Sequence, residues 1–133
     1  MPDYKELIQK AIEAKSKAIA TYSNFHVGAA LLTEDGNIYQ GANIENASYG
    51  LSMCAERTAI FSALIKGERK FKAIAIAGDS KDCLAPCGAC RQIILEFCGK
   101  DTDVIMINKD GNTKTLKMAL LLPLSFDEES LKL

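Results

Sequence analysis

The chain has 133 residues, 48% hydrophobic and 25% charged, with a formal net charge of −1 at pH 7. That length fits one domain over residues 1–133, large enough to bury a core without staples. Arginine occurs only at positions 57, 69 and 91, so no basic block exists to neutralise a phosphate backbone, and a nucleic-acid substrate is disfavoured.

In chain order, Leu7, Ile8, Ala11, Ile12, Ala18 and Ile19 recur at helical spacing and predict an amphipathic helix over about residues 3–20. Thr21-Tyr22-Ser23-Asn24 breaks it. Phe25 to Leu32 is apolar and strand-like, Glu34-Asp35-Gly36-Asn37 is a hairpin turn, and Ile38 to Ile44 returns as the partner strand. A polar loop through Asn46 and Ser48 leads to Cys54. From there Ala55, Ala59, Ile60, Ala63 and Leu64 keep helical period up to Gly67, a C-cap residue. Phe71 to Ala77 suits a buried strand, Gly88 to Phe97 a further helix closed by Gly99, and Val104 to Ile107 another buried strand. Asp110-Gly111 turns into a short strand near Lys114, and Leu120-Leu121-Leu122 forms a short helix stopped by Pro123. Alternation of strands and helices predicts crossovers, parallel pairing and an α/β sheet with helices on both faces. The N-terminus lacks the apolar core of a signal peptide, and no apolar run approaches a membrane span, so no membrane partner is expected.

Five cysteines is an odd number, and three of them have metal-site spacing. A reduced, cytoplasmic protein follows more naturally than a disulfide scaffold. Cys87 and Cys90, at C-x2-C spacing, can chelate one ion, with Cys54 as a third ligand brought in by the fold. Catalytic zinc keeps three protein ligands and an open fourth position, whereas structural zinc closes all four. Glu56, two residues after Cys54, can reach that open position without ligating the metal; three cysteines with a non-ligating glutamate is the arrangement of zinc deaminases. Both cysteine clusters are expected at helix N-termini, where the positive dipole end favours thiolates. Zn2+ with three thiolates has a net charge of about −1 and needs compensation to act as a Lewis acid. Arg57 points about 100° away from Glu56 around the helix and can reach back to the sulfurs.

Other readings of the same residues remain open at this stage. Cys83, Cys87, Cys90 and Cys54 could form a closed four-cysteine module, although Glu56 would then have no role. Cys87-Gly88-Ala89-Cys90 could be a thioredoxin-like redox pair, which leaves Cys54 and Glu56 unexplained. Cys98 reads as a small buried hydrophobe. His26, the only histidine, reads as a structural residue. Asn43 and Glu45, one residue apart at a strand end, share a face and could both hydrogen-bond a pair of hydroxyls, or simply form the strand exit.

Together these residues resemble the cytidine deaminase family, specifically its small homotetrameric branch with three zinc-binding cysteines. The resemblance is carried by Tyr22-Ser23-x-Phe25-x-Val27-Gly28-Ala29-Ala30, Gly41-x-Asn43-x-Glu45-Asn46-Ala47-Ser48-Tyr49, Cys54-Ala55-Glu56-Arg57, Pro86-Cys87-Gly88-Ala89-Cys90-Arg91-Gln92 and Leu121-Leu122-Pro123-x-x-Phe126. It implies a three-layer α/β/α fold around a five-stranded mixed sheet. It also implies zinc-dependent hydrolysis of cytidine and 2′-deoxycytidine to the uridines plus ammonia, a step of pyrimidine salvage. By the same resemblance Phe25 packs on the pyrimidine, Asn43 and Glu45 hold the ribose 3′-hydroxyl, and the Ala55 backbone helps read the base. Glu56 passes a proton to N3 and later to the departing amine, and Phe126 and Tyr49 reach a neighbouring subunit's pocket in the homotetramer. Two departures stand out. His26 replaces the usual proline and is expected to loosen the loop beside Phe25, and Leu124-Ser125 replaces Gly-Ala before Phe126. Blasticidin S deaminases share the Cys-Ala-Glu and Pro-Cys-x-x-Cys chemistry and form the nearest alternative within enzymes. Nucleotide and tRNA deaminases more often have histidine in place of Cys54 and want basic groups for phosphate.

Overall fold

The computed structural model describes residues 3–126. The hairpin forms as its turn residues predict: β1 (Gly28–Thr33) and β2 (Ile38–Ala42) pair antiparallel across a turn in which Gly36 takes a φ of +94°. After β2 come a one-turn 3-10 segment at Tyr49–Leu51 and the helix α2 (Ala55–Ile65). Then follow β3 (Phe71–Ala77), α3 (Gly88–Cys98), β4 (Asp103–Ile107), β5 (Thr113–Lys117) and the short α4 (Met118–Leu121); α1 (Lys5–Ala14) precedes the hairpin.

The sheet is mixed, in the order β2-β1-β3-β4-β5. Among the five strands described, parallel pairing, expected along the alternating chain, joins only β3 and β4, with Ala75 opposite Ile105. β1 runs antiparallel to both its neighbours. β2 and β3 therefore run in the same direction on either side of β1, and α2 carries the chain over that central strand. The crossover the sequence predicts exists, but the hairpin strand sits between its ends.

Period-two patterning divides the core into two layers. Ala29, Leu31, Ile74, Ile76, Val104 and Met106 face α2 and α3. Ala30, Ala73, Ala75, Ala77, Ile105 and Ile107 face α1 through Leu7 and Ala11. The α1 side is lined by alanines, which lets that helix approach the sheet closely. A Cβ at Gly28 would lie 2.3 Å from the Ala11 carbonyl oxygen and 2.4 Å from the Lys15 nitrogen. Among the described residues no helix is long and apolar enough to cross a membrane.

Two predicted boundaries move for tertiary reasons. The first helix ends at Ala14, with a 3-10 turn at Lys15–Lys17, instead of running to about residue 20. Ile19 is extended instead: its N–H donates to Asn43 O at 2.9 Å, and its carbonyl accepts from Glu45 N at 2.9 Å. Pairing beside the end of β2 overrides apolar periodicity at this point. Likewise the first strand begins at Gly28 and not Phe25, because residues 24–27 form a pinned loop that starts with Asn24 at a φ of +56°.

Candidate metal centre and active site

Both cysteine clusters lie at helix starts, as predicted. Cys54 is the extended N-cap residue of α2, and Cys87 that of α3. Neither thiol makes a capping hydrogen bond, so both are free to turn towards a common point. The Sγ atoms of Cys54, Cys87 and Cys90 all lie within 4.8 Å of one another. Ligands on one tetrahedral zinc stand about 3.8 Å apart for Zn–S bonds of about 2.3 Å, so three thiols converging this closely fit that ion. Cys83 takes no part. Its Sγ donates to Asn112 O at 3.4 Å, and the four-thiol alternative is not what the fold builds. Cys98 is a half-buried thiol packed against the core, and burial pushes its pKa up to about 12.

The electrostatics of the trio depend on Arg57. Its Nη2 donates to Cys54 Sγ at 3.2 Å, and its Nε is buried with no hydrogen-bond partner. The Cys54 thiol is drawn down to about 5, first by the hydrogen bond from Cys90 and then by the Arg57 guanidinium, against the cost of burial. Cys90, which gives that hydrogen bond and is itself buried, is pushed up. The Arg57 guanidinium thus favours negative charge on Cys54. The reach of Arg57 back to the sulfur, expected from its place on the helix, is realised.

Glu56 is 5% exposed, on the first turn of α2. Burial raises its pKa to about 6; the negative Cys54 adds to this, and backbone and Cys90 hydrogen bonds oppose it. With Cys54, Cys87, Phe25 and Val27 it lines a cavity of about 100 Å³. Ala55 turns its methyl group into the core, leaving only its backbone for the site.

A second cavity, of about 470 Å³, shares Phe25 and Cys54 with the first and is walled by Asn43, Glu45, Tyr49 and Arg57. Asn43 and Glu45 flank Ile44, which bridges Ile19 and Met53 beyond the end of β2. Asn43 Oδ1 accepts from Val27 N, and its Nδ2 donates to Phe25 O, both at 2.9 Å. Glu45 Oε1 accepts the backbone N–H groups of Tyr22 and Ser23 at 3.0 Å, and Oε2 accepts the Ser23 hydroxyl. These bonds hold its carboxyl below the usual carboxylate range, the Ser23 hydroxyl contributing most. The lone N-x-E spacing gave no sign of these partners, which lie some twenty residues away.

His26 does not loosen its loop. Its backbone N–H, a donor that proline lacks, bonds Asp79 Oδ2 at 2.7 Å, and its ring Nδ1 stands 3.0 Å from the same oxygen. Tyr49, 69% exposed, borders the larger cavity of its own chain. Phe126, 61% exposed, lines neither cavity. The tail that carries it is fixed to α3. Gln92 Nε2 donates to Phe126 O at 2.7 Å, Arg91 Nη1 to Leu121 O at 2.8 Å, and Arg91 Nε to Pro86 O at 2.8 Å. Leu124-Ser125 leaves this attachment intact. Arg91, Gln92, Ser23 and Asp79 are supports that the sequence reading did not single out; the first three stand inside the quoted motif blocks, which was the available signal.

Comparison with known proteins places this geometry. A cytidine deaminase of Halalkalibacterium halodurans is 49% identical over 129 residues, covering 97% of this chain and 98% of the relative. One from Sporosarcina psychrophila is 47% identical over 129 residues, covering 97% and 95%. The crystal structure of cytidine deaminase from Burkholderia pseudomallei superposes with a TM-score of 0.91 at 48% identity, covering 94% of this chain and 100% of that one. The family model described as the cytidine and deoxycytidylate deaminase zinc-binding region matches residues 1–107, which include all three clustered thiols and Glu56, and the chain belongs to that family.

Proposed function

We propose that this protein is a zinc-dependent cytidine deaminase that hydrolyses cytidine and 2′-deoxycytidine to uridine and 2′-deoxyuridine with release of ammonia. The observation that carries the reading is the trio of converging thiols with buried Glu56 beside it, at a cavity that shares Phe25 and Cys54 with a second one flanked by Asn43 and Glu45. Cys54, Cys87 and Cys90 would hold the zinc, which when bound supplies Lewis acidity and an open position for water.

Glu56 does the proton work. Its carboxylate takes a proton from the attacking water and delivers it to N3 of the cytosine ring. It then takes the second proton of the same oxygen, now bonded to C4, and delivers it to the 4-amino group, which leaves as ammonia, so one group serves as base and then as acid. Burial raises its affinity for the proton it carries between these steps. The Arg57 guanidinium offsets the charge of three thiolates through its contact with Cys54 Sγ.

Phe25 presents its ring to both cavities and stacks on the base, and the backbone of Ala55 contributes to reading it. Asn43 and Glu45 take the ribose 3′-hydroxyl. Each retains capacity for this after its loop contacts: one amide hydrogen on Asn43 Nδ2 and a free lone pair on Glu45 Oε2. Tyr49 borders the sugar side. The unit is a homotetramer in which Phe126, standing away from its own chain's cavities, covers a neighbour's. One domain over residues 1–133, of which 3–126 are described, and a cytoplasmic setting that keeps the thiols reduced belong to the same proposal.

Ultraviolet monitoring of cytidine, deoxycytidine, CMP, cytosine and blasticidin S, with zinc measured on the same sample, tests this. Turnover of the two nucleosides, little of the others, and about one zinc per chain is the expected result. Blasticidin S as the preferred substrate, or stoichiometric zinc with no turnover, would overturn it.

A further inference from the structure

A charged cluster outside the thiol site grips the loop that carries Phe25. Asp79 lies two residues beyond the end of β3. Its Oδ2 accepts the His26 N–H at 2.7 Å and faces His26 Nδ1 at 3.0 Å. Its Oδ1 is 3.1 Å from Lys15 Nζ, just past the end of α1, and the same ammonium donates to Gly78 O at 3.2 Å. Three elements, α1, the Phe25 loop and the β3 exit, are tied at one carboxylate.

The Phe25 carbonyl and the His26 N–H belong to one peptide unit, and in a planar trans peptide they point to opposite edges of the plane. Asn43 Nδ2 holds the carbonyl edge at 2.9 Å, and Asp79 Oδ2 holds the N–H edge at 2.7 Å. A plane held at one edge can still swing about it; held at both, its orientation is fixed. That orientation sets ψ of Phe25 and so the direction of its side chain. The ring of Phe25 then lies near Gly78, where an added Cβ would make ordinary contact at 3.8 Å with Cε1 and Cζ. Burial works against the charge on Asp79, but the bonds from His26 and Lys15 outweigh it and hold the carboxyl below its ordinary range.

We propose that Asp79 is a positioning residue for nucleoside binding: with Asn43 it clamps the Phe25–His26 peptide plane from both edges, and so orients the ring that receives the base. Lys15 anchors Asp79 to α1. The inference rests on the nucleoside reading above, and it assigns Asp79 to binding, acting through Phe25, with no contact to reacting atoms.

The test uses the full, zinc-loaded chain. Asp79→Ala raises KM for cytidine about tenfold while kcat stays within about threefold, the pattern of lost ground-state binding. Asp79→Asn recovers most of the loss, because its amide oxygen still accepts the His26 N–H. His26→Pro removes the same bond from the donor side, so the double variant is no worse than the worse single one. KM within twofold of wild type in Asp79→Ala, a fall in kcat at constant KM, or additive losses in the double variant would overturn the proposal. Amide exchange at His26 reads the clamp without turnover: about tenfold faster exchange in Asp79→Ala is expected, and unchanged exchange refutes it. Inactivity of the wild type on cytidine, together with that acceleration in Asp79→Ala, would fail the nucleoside reading and leave the clamp standing.

Discussion

Gly41 sits under the first turn of α2, and a single added methyl group there should separate stability from catalysis in a calculable way. Gly41, on the edge strand β2, pairs with Ala29 of β1. A Cβ at this position would lie 2.4 Å from Ala55 O and from Ala59 N, and 2.9 Å from Ala59 Cα. Those first two atoms are four residues apart in α2, the spacing of its opening backbone hydrogen bond, so no side chain can rotate aside. Ordinary contact begins near 3.4 Å, and the start of α2 must therefore move by about 1 Å. Cys54 and Glu56 move with it. Overpacking of this kind costs about 1–3 kcal/mol, roughly 3–12 °C in Tm for a chain of this size. A displacement of about 1 Å at reacting groups costs about 10²-fold in turnover. Gly36→Ala supplies the control: its φ of +94° strains any side chain, but nothing lies within 4 Å. It should lose about 1–2 kcal/mol and keep kcat within twofold. The assay is kcat for cytidine at a temperature where calorimetry shows both variants folded. Gly41→Ala with kcat within threefold of wild type would refute the claim that close backbone contact sets the position of Glu56.

Glu56→Gln should keep zinc and nucleoside binding but lose about 10²–10⁴-fold in kcat, since only the proton carrier is removed; near-normal turnover in a zinc-loaded sample would contradict its role. Cys87→Ser should lose stoichiometric zinc, whereas Cys83→Ser, whose thiol bonds Asn112 O, should retain it by metal analysis. Mixing inactive Glu56→Gln chains with Phe126→Ala chains, then dissociating and reassociating them, should raise activity above either parent, because some mixed tetramers regain sites with both groups intact. No recovery in confirmed mixed tetramers would place Phe126 outside its neighbours' sites.

Much of the fold was legible because its signals are local. The Asn-containing turn with Gly36, the period-two run of Phe71 to Ala77, and the apolar spacing of α2 each occupy a few adjacent residues, and the structure reproduces all three. What failed were boundaries set by partners far along the chain. Nothing around Ile19 announces that its backbone will pair with Asn43 and Glu45, so helical period carried the prediction past the true end of α1. The same blindness affects strand direction. Residues 28–33 read as a strand whichever neighbour they take, and insertion of β1 between β2 and β3 is decided by packing on both faces at once.

The thiol site was legible for a related reason, and its supports were not. Cys54-Ala55-Glu56-Arg57 puts a sulfur, a carboxylate and a cation on one helical turn, where the turn's own geometry fixes their relation. C-x2-C does the same for the other two thiols. Chemistry demands those residue types, so they can be recognised from type and spacing alone. The groups that aim the site act through backbone atoms. Asp79 holds an N–H, Asn43 a carbonyl and an N–H, and Arg91 two carbonyls, and any sequence offers such atoms at nearly every position. His26 shows the consequence most clearly. Judged by side chain, its replacement of proline promised a looser loop; judged by the N–H that comes with it, the replacement supplies the bond that ties the loop to Asp79. A substitution beside a binding residue is therefore read correctly only after asking which backbone group it adds or removes, and what stands within reach to meet it.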